Sequence, residues 1–287
     1  MYAIMGIAGQ VGGATARTLI KEGKRVRGIV RDKAKASGWE AAGVELAVAD
    51  AGDAAALEAA FRGAEGVFLM VPPNFAPAPG YPESHAIVAA LRLALDAIRP
   101  DKAVYLSSIG AQRKKGLGLI TQVHILEQEL CSLLVPNAFI RAAWFMENSR
   151  WDVDPARTRG EIDAFLDPLD HQFPMVSTED IGRLAAKTLQ QQWSGNRYLE
   201  LEGPRRYSQL EAAAIFSRLL SRPVRAKKVP RAQWAVLFEK QGMAHTAPRI
   251  EMLDGFNTGW IEFEREGTEH ILGNRTLEEA FRDLLRT

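Results

Sequence analysis

Met1-Tyr2-Ala3-Ile4-Met5-Gly6-Ile7-Ala8-Gly9-Gln10-Val11-Gly12-Gly13 opens the chain. A short apolar run breaks into Gly6-x-x-Gly9-x-x-Gly12. A helical pattern follows, with Val11, Ala14, Thr15, Leu19 and Ile20 near one face and Gly23 as its stop. This is the pattern of a strand–turn–helix that holds a pyrophosphate. Gly6 permits the tight turn, Gly9 lets the backbone approach phosphate oxygens, and Gly12 lets the helix lie close to the sheet. The backbone around Ala8, Gln10 and Val11 then offers free N–H groups and the positive end of a helix dipole to an anion. A Gly-rich turn also serves as a plain strand–helix connection. The context favours dinucleotide binding: a strand precedes the turn, a helix follows it, and a second strand comes soon afterwards.

Working outward, the first half alternates strand and helix signals. Strands are expected at 25–30, 44–48, 67–71, 103–106 and 138–142, with helices at 54–62, 84–98 and 120–134 between them. Ser84 is the expected cap of its helix, and Pro72-Pro73 ends the fully apolar strand before it. Strands and helices alternating at this spacing imply right-handed βαβ units and a parallel sheet covered on both faces. Beyond Asn148 the pattern weakens, and 151–173 reads as an irregular excursion. Ser177-Thr-Glu-Asp180 then opens a helix to about residue 191, a strand follows at 197–201, and Ser208-x-x-Glu211 opens another helix. The expected fold class is α/β, a Rossmann-type doubly wound parallel sheet with a smaller mixed C-terminal substrate subdomain. Residues 1–149 form the dinucleotide-binding core, completed by about 177–202, and 150–176 with 203–287 form the smaller unit.

The 287 residues suffice for a full core, and 47% hydrophobic with 25% charged residues is ordinary globular composition. A formal net charge of +1 points to neither nucleic acid nor an anionic membrane as partner. The single cysteine, Cys131, excludes an intrachain disulfide framework and suits a reducing compartment. It lies in an apolar helical pattern and reads as a buried structural thiol. No apolar run is long enough to span a bilayer, and the first strand beginning at Met1 leaves no room for a signal peptide, so a cytoplasmic protein is expected. His85, His171, His245 and His270 lack metal-ligand spacing, and no metal site is expected.

The end of the second strand chooses between dinucleotides. An acidic residue there binds the ribose 2′-OH of NAD(H), whereas Arg pairs with the 2′-phosphate of NADP(H). Here the chain reads Val30-Arg31-Asp32-Lys33-Ala34-Lys35. Arg31 comes first with Lys35 behind it, which favours NADP(H), while Asp32 keeps NAD(H) open if the register slips by one residue. Asp50, closing the third strand, is placed for the adenine amine or is a turn residue. The ends of the next three strands present Val71-Pro72-Pro73-Asn74, Ser107-Ser108-Ile109-Gly110 and Arg141-Ala142-Ala143-Trp144-Phe145 to the other half of the crevice. Val71, Pro72, Ser107 and Ala142 are the cofactor-side candidates. Asn74, Phe75, Trp144 and Phe145 are the substrate-pocket candidates, though such aromatics also serve as core. Gln112-Arg113-Lys114-Lys115-Gly116-Leu117-Gly118 is a solvated loop or a mobile lid beside them.

Gly6-x-x-Gly9-x-x-Gly12, Val30-Arg31-Asp32, Val71-Pro72-Pro73, Tyr105-Leu-Ser107-Ser108, His124-Ile-Leu-Glu127 and Arg141-Ala-Ala-Trp144-Phe145-Met146-Glu147-Asn148 together resemble the NmrA-like atypical short-chain dehydrogenase/reductases. Pro174-Met-Val-Ser-Thr-Glu-Asp180-Ile-Gly182 and Glu200-Leu-Glu-Gly203-Pro204 extend the resemblance to about Val229. That family includes NADPH-dependent quinone reductases, a triphenylmethane reductase, iminium reductases and non-catalytic NADP-sensing regulators. Mainstream short-chain dehydrogenases use Tyr-x-x-x-Lys as a proton relay, the Lys lowering the Tyr pKa. None of the five tyrosines here has Lys four residues on, and Ile120 and His124 stand where the pair would fall. The resemblance places His124 near the nicotinamide ribose, as the tentative catalytic residue or a ribose ligand.

Hydride transfer to an acceptor needing little acid assistance is the chemistry that remains. The expected function is an NADPH-dependent reductase of a small apolar or aromatic conjugated acceptor such as a quinone. The alternative, which the resemblance also carries, is a non-catalytic NADP(H) sensor that signals through a protein partner.

Overall fold

The computed structural model describes residues 1–286; Thr287 and the side chain of Lys35 lie outside the described part. β1 (Tyr2–Met5) is buried along its whole length and runs through the glycine turn into α1 (Gln10–Lys21). Gly23, at φ 71°, stops α1 as expected. β2 (Val26–Val30) carries Gly28, where a Cβ would lie 2.7 Å from two carbons of Ile7. That missing side chain seats Ile7, the second residue of the turn, against the second strand. α2 (Ser37–Ala41), β3 (Glu45–Val48), α3 (Ala54–Phe61) and β4 (Gly66–Leu69) follow. Then come α4 (Pro82–Ile98), β5 (Lys102–Ser108), α5 (Thr121–Leu130) and β6 (Asn137–Ala142).

The second half adds β7 (Trp144–Phe145), α6 (Val153–Arg159), β8 (Glu161–Ala164), β9 (Met175–Val176), α7 (Thr178–Leu189) and β10 (Asn196–Glu202). It ends with α8 (Gln209–Leu220), β11 (Arg225–Lys228), α9 (Trp234–Lys240), α10 (Ala247–Asn257), β12 (Glu269–Leu272) and α11 (Leu277–Leu284). The main sheet has eight strands in the order β12-β10-β6-β5-β4-β1-β2-β3, and every neighbouring pair is parallel. Strand order therefore reverses between β1 and β4, which opens a crevice outside their carboxyl ends.

Period-two alternation sorts the strand side chains between two cores. Ile4, Phe68, Val104 and Ile140 face α1 and α7, through Leu19 and Ile181. Met5, Leu69, Tyr105 and Phe139 face α3, α4 and α5, through Phe61, Leu91 and Leu126. Gly182 in α7 lets α1 approach so closely that a Cβ there would stand 2.7 Å from the Thr15 amide nitrogen. A third core joins Met146, Ile162, Phe216 and Phe281, with the last two rings stacked 4.3 Å apart.

Several expectations need correction. Ser84 does not cap α4; the helix begins at Pro82 after Tyr81 in the left-handed region, and Ser84 is buried within it. Proline at a helix start costs no hydrogen bond and has its φ already set. The 151–173 stretch is more regular than its sequence suggests, holding α6 and β8, and β8 pairs with β11. α5 stops at Leu130, and Cys131 just beyond it is half-buried, not buried. Finally, the far tail supplies β12, which pairs with β10 on the main sheet.

Candidate active site

At the centre of the crevice the Gly9 N–H donates to the Gly6 carbonyl at 2.8 Å, with Gly6 at φ 65°. A side chain at Gly12 would lie 2.6 Å from the Met5 carbonyl oxygen, so the helix leaves the sheet with no space between them. No side chain caps α1 at Gly9, and no acid sits in its first turn. The α3, α7, α8 and α11 termini, by contrast, are capped by Asp53, Ser177, Ser208 and Thr276. The free N–H groups and positive dipole end of α1 therefore face the crevice uncompensated. Ala8, Gly9 and Gln10 are exposed there, while Val11 turns inward to the core.

At the end of β2 the two competing side chains are already sorted. The Asp32 carboxylate accepts the Ala34 N–H at 2.9 Å and caps a short 3₁₀ turn. Arg31 is exposed and has no hydrogen bond or ion pair among the described residues. Asp50 Oδ1 accepts the Gly52 N–H at 2.9 Å, which is the turn role weighed against the adenine contact. The Lys35 side chain lies outside the described part.

The β4 end passes beside the turn, since a Cβ on Gly6 would meet the Met70 sulfur at 2.8 Å. Val71 is buried and Pro72 half-buried as the chain leaves the strand. Ala142 is buried, and its carbonyl accepts the Ile109 N–H at 2.9 Å, joining the ends of β5 and β6. Half-buried His124, in α5, places Nδ1 2.7 Å from the Ala111 carbonyl oxygen. A carbonyl only accepts, so Nδ1 carries the proton and Nε2 is the nitrogen available to a ligand.

Ser107 turns away from the role expected of it. Its hydroxyl donates to buried Glu127 at 2.5 Å, and Glu127 also receives Arg141 through Nη2 at 2.8 Å. Arg141 reaches Glu264 at 2.7 Å and lies over the Tyr198 ring at 4.4 Å. Beside it, fully buried Glu200 accepts the Glu264 and Arg265 backbone N–H groups at 2.7 and 3.0 Å. In-register pairing puts Ser107, Arg141 and Glu200 in one row across β5, β6 and β10. Burial would lower the Arg141 pKa, but Glu127 and Glu264 outweigh it and hold the guanidinium above its usual range. This cluster ties the 262–265 crossing to the sheet beneath the crevice.

The substrate-pocket candidates do not converge as a group. Asn74 bonds Glu83 at 2.6 Å and the Ala76 N–H at 3.0 Å, so its side chain shapes its own loop. Phe75 is 57% exposed and has no ring contact among the described residues. Trp144 and Phe145 form β7 against β9, and Trp144 meets the edge of Phe256 from α10 at 5.3 Å. The 112–118 loop, with Lys114 and Lys115 exposed, is tied to the 260–262 segment and α10. Gln112 donates to the Glu262 carbonyl, Trp260 donates to the Lys115 carbonyl, and Arg113 lies 4.6 Å over Trp260. Gly118 has no space for a side chain against α10, 2.5 Å from Met252 N.

Sequence reasoning missed the Glu127–Arg141–Glu200 cluster, the packing of Phe256 from α10 on Trp144, and the α1–α7 contact at Gly182. Only the last had a local signal, a glycine in mid-helix where alanine would be about 1 kcal/mol better. Among the described residues no group of acidic, histidine or cysteine side chains could hold a metal ion, and no helix is long and apolar enough to cross a membrane.

A parallel doubly wound sheet with an uncapped glycine turn at its switch point defines a Rossmann-type protein. The chain belongs to the NmrA-like family, which it matches over residues 2–279. It is 26% identical over 226 residues to an NAD(P)H azoreductase from Xenophilus azovorans, covering 78% of this chain and 76% of that protein. Its fold is shared with an NADPH-dependent quinone oxidoreductase from Escherichia coli, solved with NADPH, at a TM-score of 0.80, 21% identity and 99% coverage of both chains. The Citrobacter sp. triphenylmethane reductase, solved with NADP(H), gives a TM-score of 0.80 at 18% identity, covering 99% of this chain and 100% of the other.

Proposed function

We propose that this protein is an NADPH-dependent reductase that passes hydride to a small conjugated acceptor, with quinones as the leading class. The reading rests above all on the end of β2, where Asp32 is occupied by the Ala34 N–H and Arg31 stands free. The quinone, azo and triphenylmethane reductases it resembles support the same acceptor chemistry.

The residues present fit the dinucleotide. The first-turn N–H groups of α1 would hold the pyrophosphate, and Arg31 the 2′-phosphate through paired charge-assisted hydrogen bonds. Bound there, the dinucleotide supplies a hydride to the acceptor, and one further proton completes the two-electron reduction of a quinone to its hydroquinone. Held by Ala111, His124 presents Nε2 to hold the ribose or to move that proton. Tyr105 cannot assist, because its hydroxyl is donated to Asn137 inside the core and burial pushes its pKa far up.

Purified protein should oxidise NADPH faster than NADH when offered a panel of quinones and cationic or azo dyes. Tight NADPH binding with no acceptor-dependent loss of its absorbance would overturn the reductase reading in favour of a redox sensor.

A further inference from the structure

Two hydrogen bonds, one helical turn apart, hold α5 on the carboxyl end of β5. His124 Nδ1 lies 2.7 Å from the Ala111 carbonyl oxygen. Three residues further along the same face of α5, the Glu127 carboxylate accepts the Ser107 hydroxyl at 2.5 Å. Ser107 and Ala111 belong to one braced piece of chain. The Ala111 N–H donates to the Ser108 carbonyl at 3.1 Å, and the Ile109 N–H donates to the Ala142 carbonyl at 2.9 Å. Gly110 between them, at φ 85°, has Ile261 2.9 Å from where a Cβ would stand. The two bonds are rungs of one ladder, spaced about 4.5 Å along the helix.

α5 has use for such a ladder. It is ten residues long, with no side-chain cap at its start and no acid in its first turn. Ile125, Leu126 and Leu130 pack it on the sheet. Apolar packing is non-directional, however, and does not by itself fix the height of a helix to the precision that a hydrogen bond at His124 requires. The Glu127 rung supplies that precision. Glu127 is buried and locked by Arg141, whose Nε lies 3.0 Å from Oε1 and Nη2 2.8 Å from Oε2. Arg141 stands on β6 in register with Ser107 on β5. One rung is thus anchored to two strands, whereas the other rests on a single backbone carbonyl.

We propose that Ser107 and Glu127 are positioning residues for His124: their hydrogen bond sets the height of α5 on β5, which keeps Nδ1 on the Ala111 carbonyl and leaves Nε2 as the nitrogen available to a ligand. The proposal rests on the reading of His124 as the residue that holds the ribose or moves the proton. It gives Ser107, whose own hydroxyl is spent on Glu127, a part in the reaction through His124.

Ser107→Ala removes that rung and strands no charge, because Arg141 still meets both Glu127 oxygens. Tyr105→Phe is the control: it removes another buried hydroxyl of β5, the one donated to Asn137, which is not part of the ladder. Long-range ¹H–¹⁵N NMR at about pH 8.5, above the ordinary histidine range, reads the tautomer. His124→Gln identifies the His124 signals by their loss. Wild type and Tyr105→Phe should show the Nδ1–H form of His124, and Ser107→Ala a mixture of both forms. With 1,4-naphthoquinone as acceptor, kcat/KM for NADPH should fall about tenfold in Ser107→Ala and stay within about twofold in Tyr105→Phe. An unchanged tautomer in Ser107→Ala, the same mixing in both variants, or mixing without loss of kcat/KM would overturn the proposal. If wild type reduces no acceptor, the reductase reading fails, and the tautomer comparison with NADPH affinity in place of turnover still decides the positioning. If Ser107→Ala does not fold, Ser107→Cys, close in size and a weaker donor, decides by the same criteria.

Discussion

Gly12 stands against Gly6 with no room for a side chain between them: a Cβ on Gly12 would lie 2.6 Å from the Gly6 carbonyl carbon. The backbone atoms on both sides belong to the turn itself, so nothing there can rotate aside. Gly12→Ala should therefore destabilise the fold by about 1–3 kcal/mol and weaken NADPH binding sharply. At Gly9 a Cβ would be 3.2 Å from the Gly6 carbonyl oxygen, a smaller conflict. Urea melts and fluorescence titration with NADPH should rank Gly12→Ala well below Gly9→Ala; the reverse order would refute this account of the turn.

Arg31 makes the cofactor preference measurable without knowing the acceptor. Arg31→Ala should weaken NADPH roughly ten- to a hundredfold while leaving NADH nearly unchanged. Added salt should narrow the wild-type gap between the two. A wild-type preference for NADH, or equal losses on removing Arg31, would reassign the ribose to Asp32.

The Glu127–Arg141 pair predicts strong non-additivity. Both side chains are buried, so Arg141→Leu alone leaves the Glu127 charge without its main partner, at a cost of about 3–5 kcal/mol. Adding Glu127→Leu should recover part of that loss. A double-mutant cycle by urea denaturation checks it, and strictly additive losses would show that the pair does not act as a unit.

Asp180 sets an acid limit on the tail. Burial would raise its pKa, but Arg183, the Arg275 and Asn274 backbone N–H groups and Ser177 together bring it below the usual carboxylate range. Those bonds hold the 274–275 segment, between β12 and α11, against α7. A depressed folded-state pKa stabilises fully above the unfolded value of about 4 and is lost as pH falls through the folded value. Asp180→Asn should be clearly less stable than wild type at pH 7, and the difference should shrink on acidification below about pH 4. A difference that grows toward acid pH would contradict the assignment.

The legible parts of this protein are those whose cause is local. Gly6, Gly9 and Gly12 meet backbone within a few residues, so their spacing carries the turn geometry. Arg31 is legible for the same reason, because it directly follows the strand that must end beside the ribose. Asp32 needed the structure: its carboxylate serves the Ala34 N–H instead of the crevice, and a one-residue shift in strand end would have reversed the roles. Ser107 also needed the structure: its hydroxyl goes to Glu127, which lies on the following helix.

The sequence by itself determined the doubly wound parallel sheet and the glycine turn and put an arginine directly after β2, because chain-local periodicity and steric limits dictate them. Only the tertiary structure decided that the 112–118 loop is pinned by Trp260 and Gln112, and that residues 269–272 close the sheet's edge. The 112–118 and 269–272 contacts join residues roughly seventy to one hundred and fifty positions apart, and loop closure over such lengths costs little more than over short ones. Chain distance therefore does little to choose such partners; the packing of α10 and the 255–265 crossing onto the sheet does.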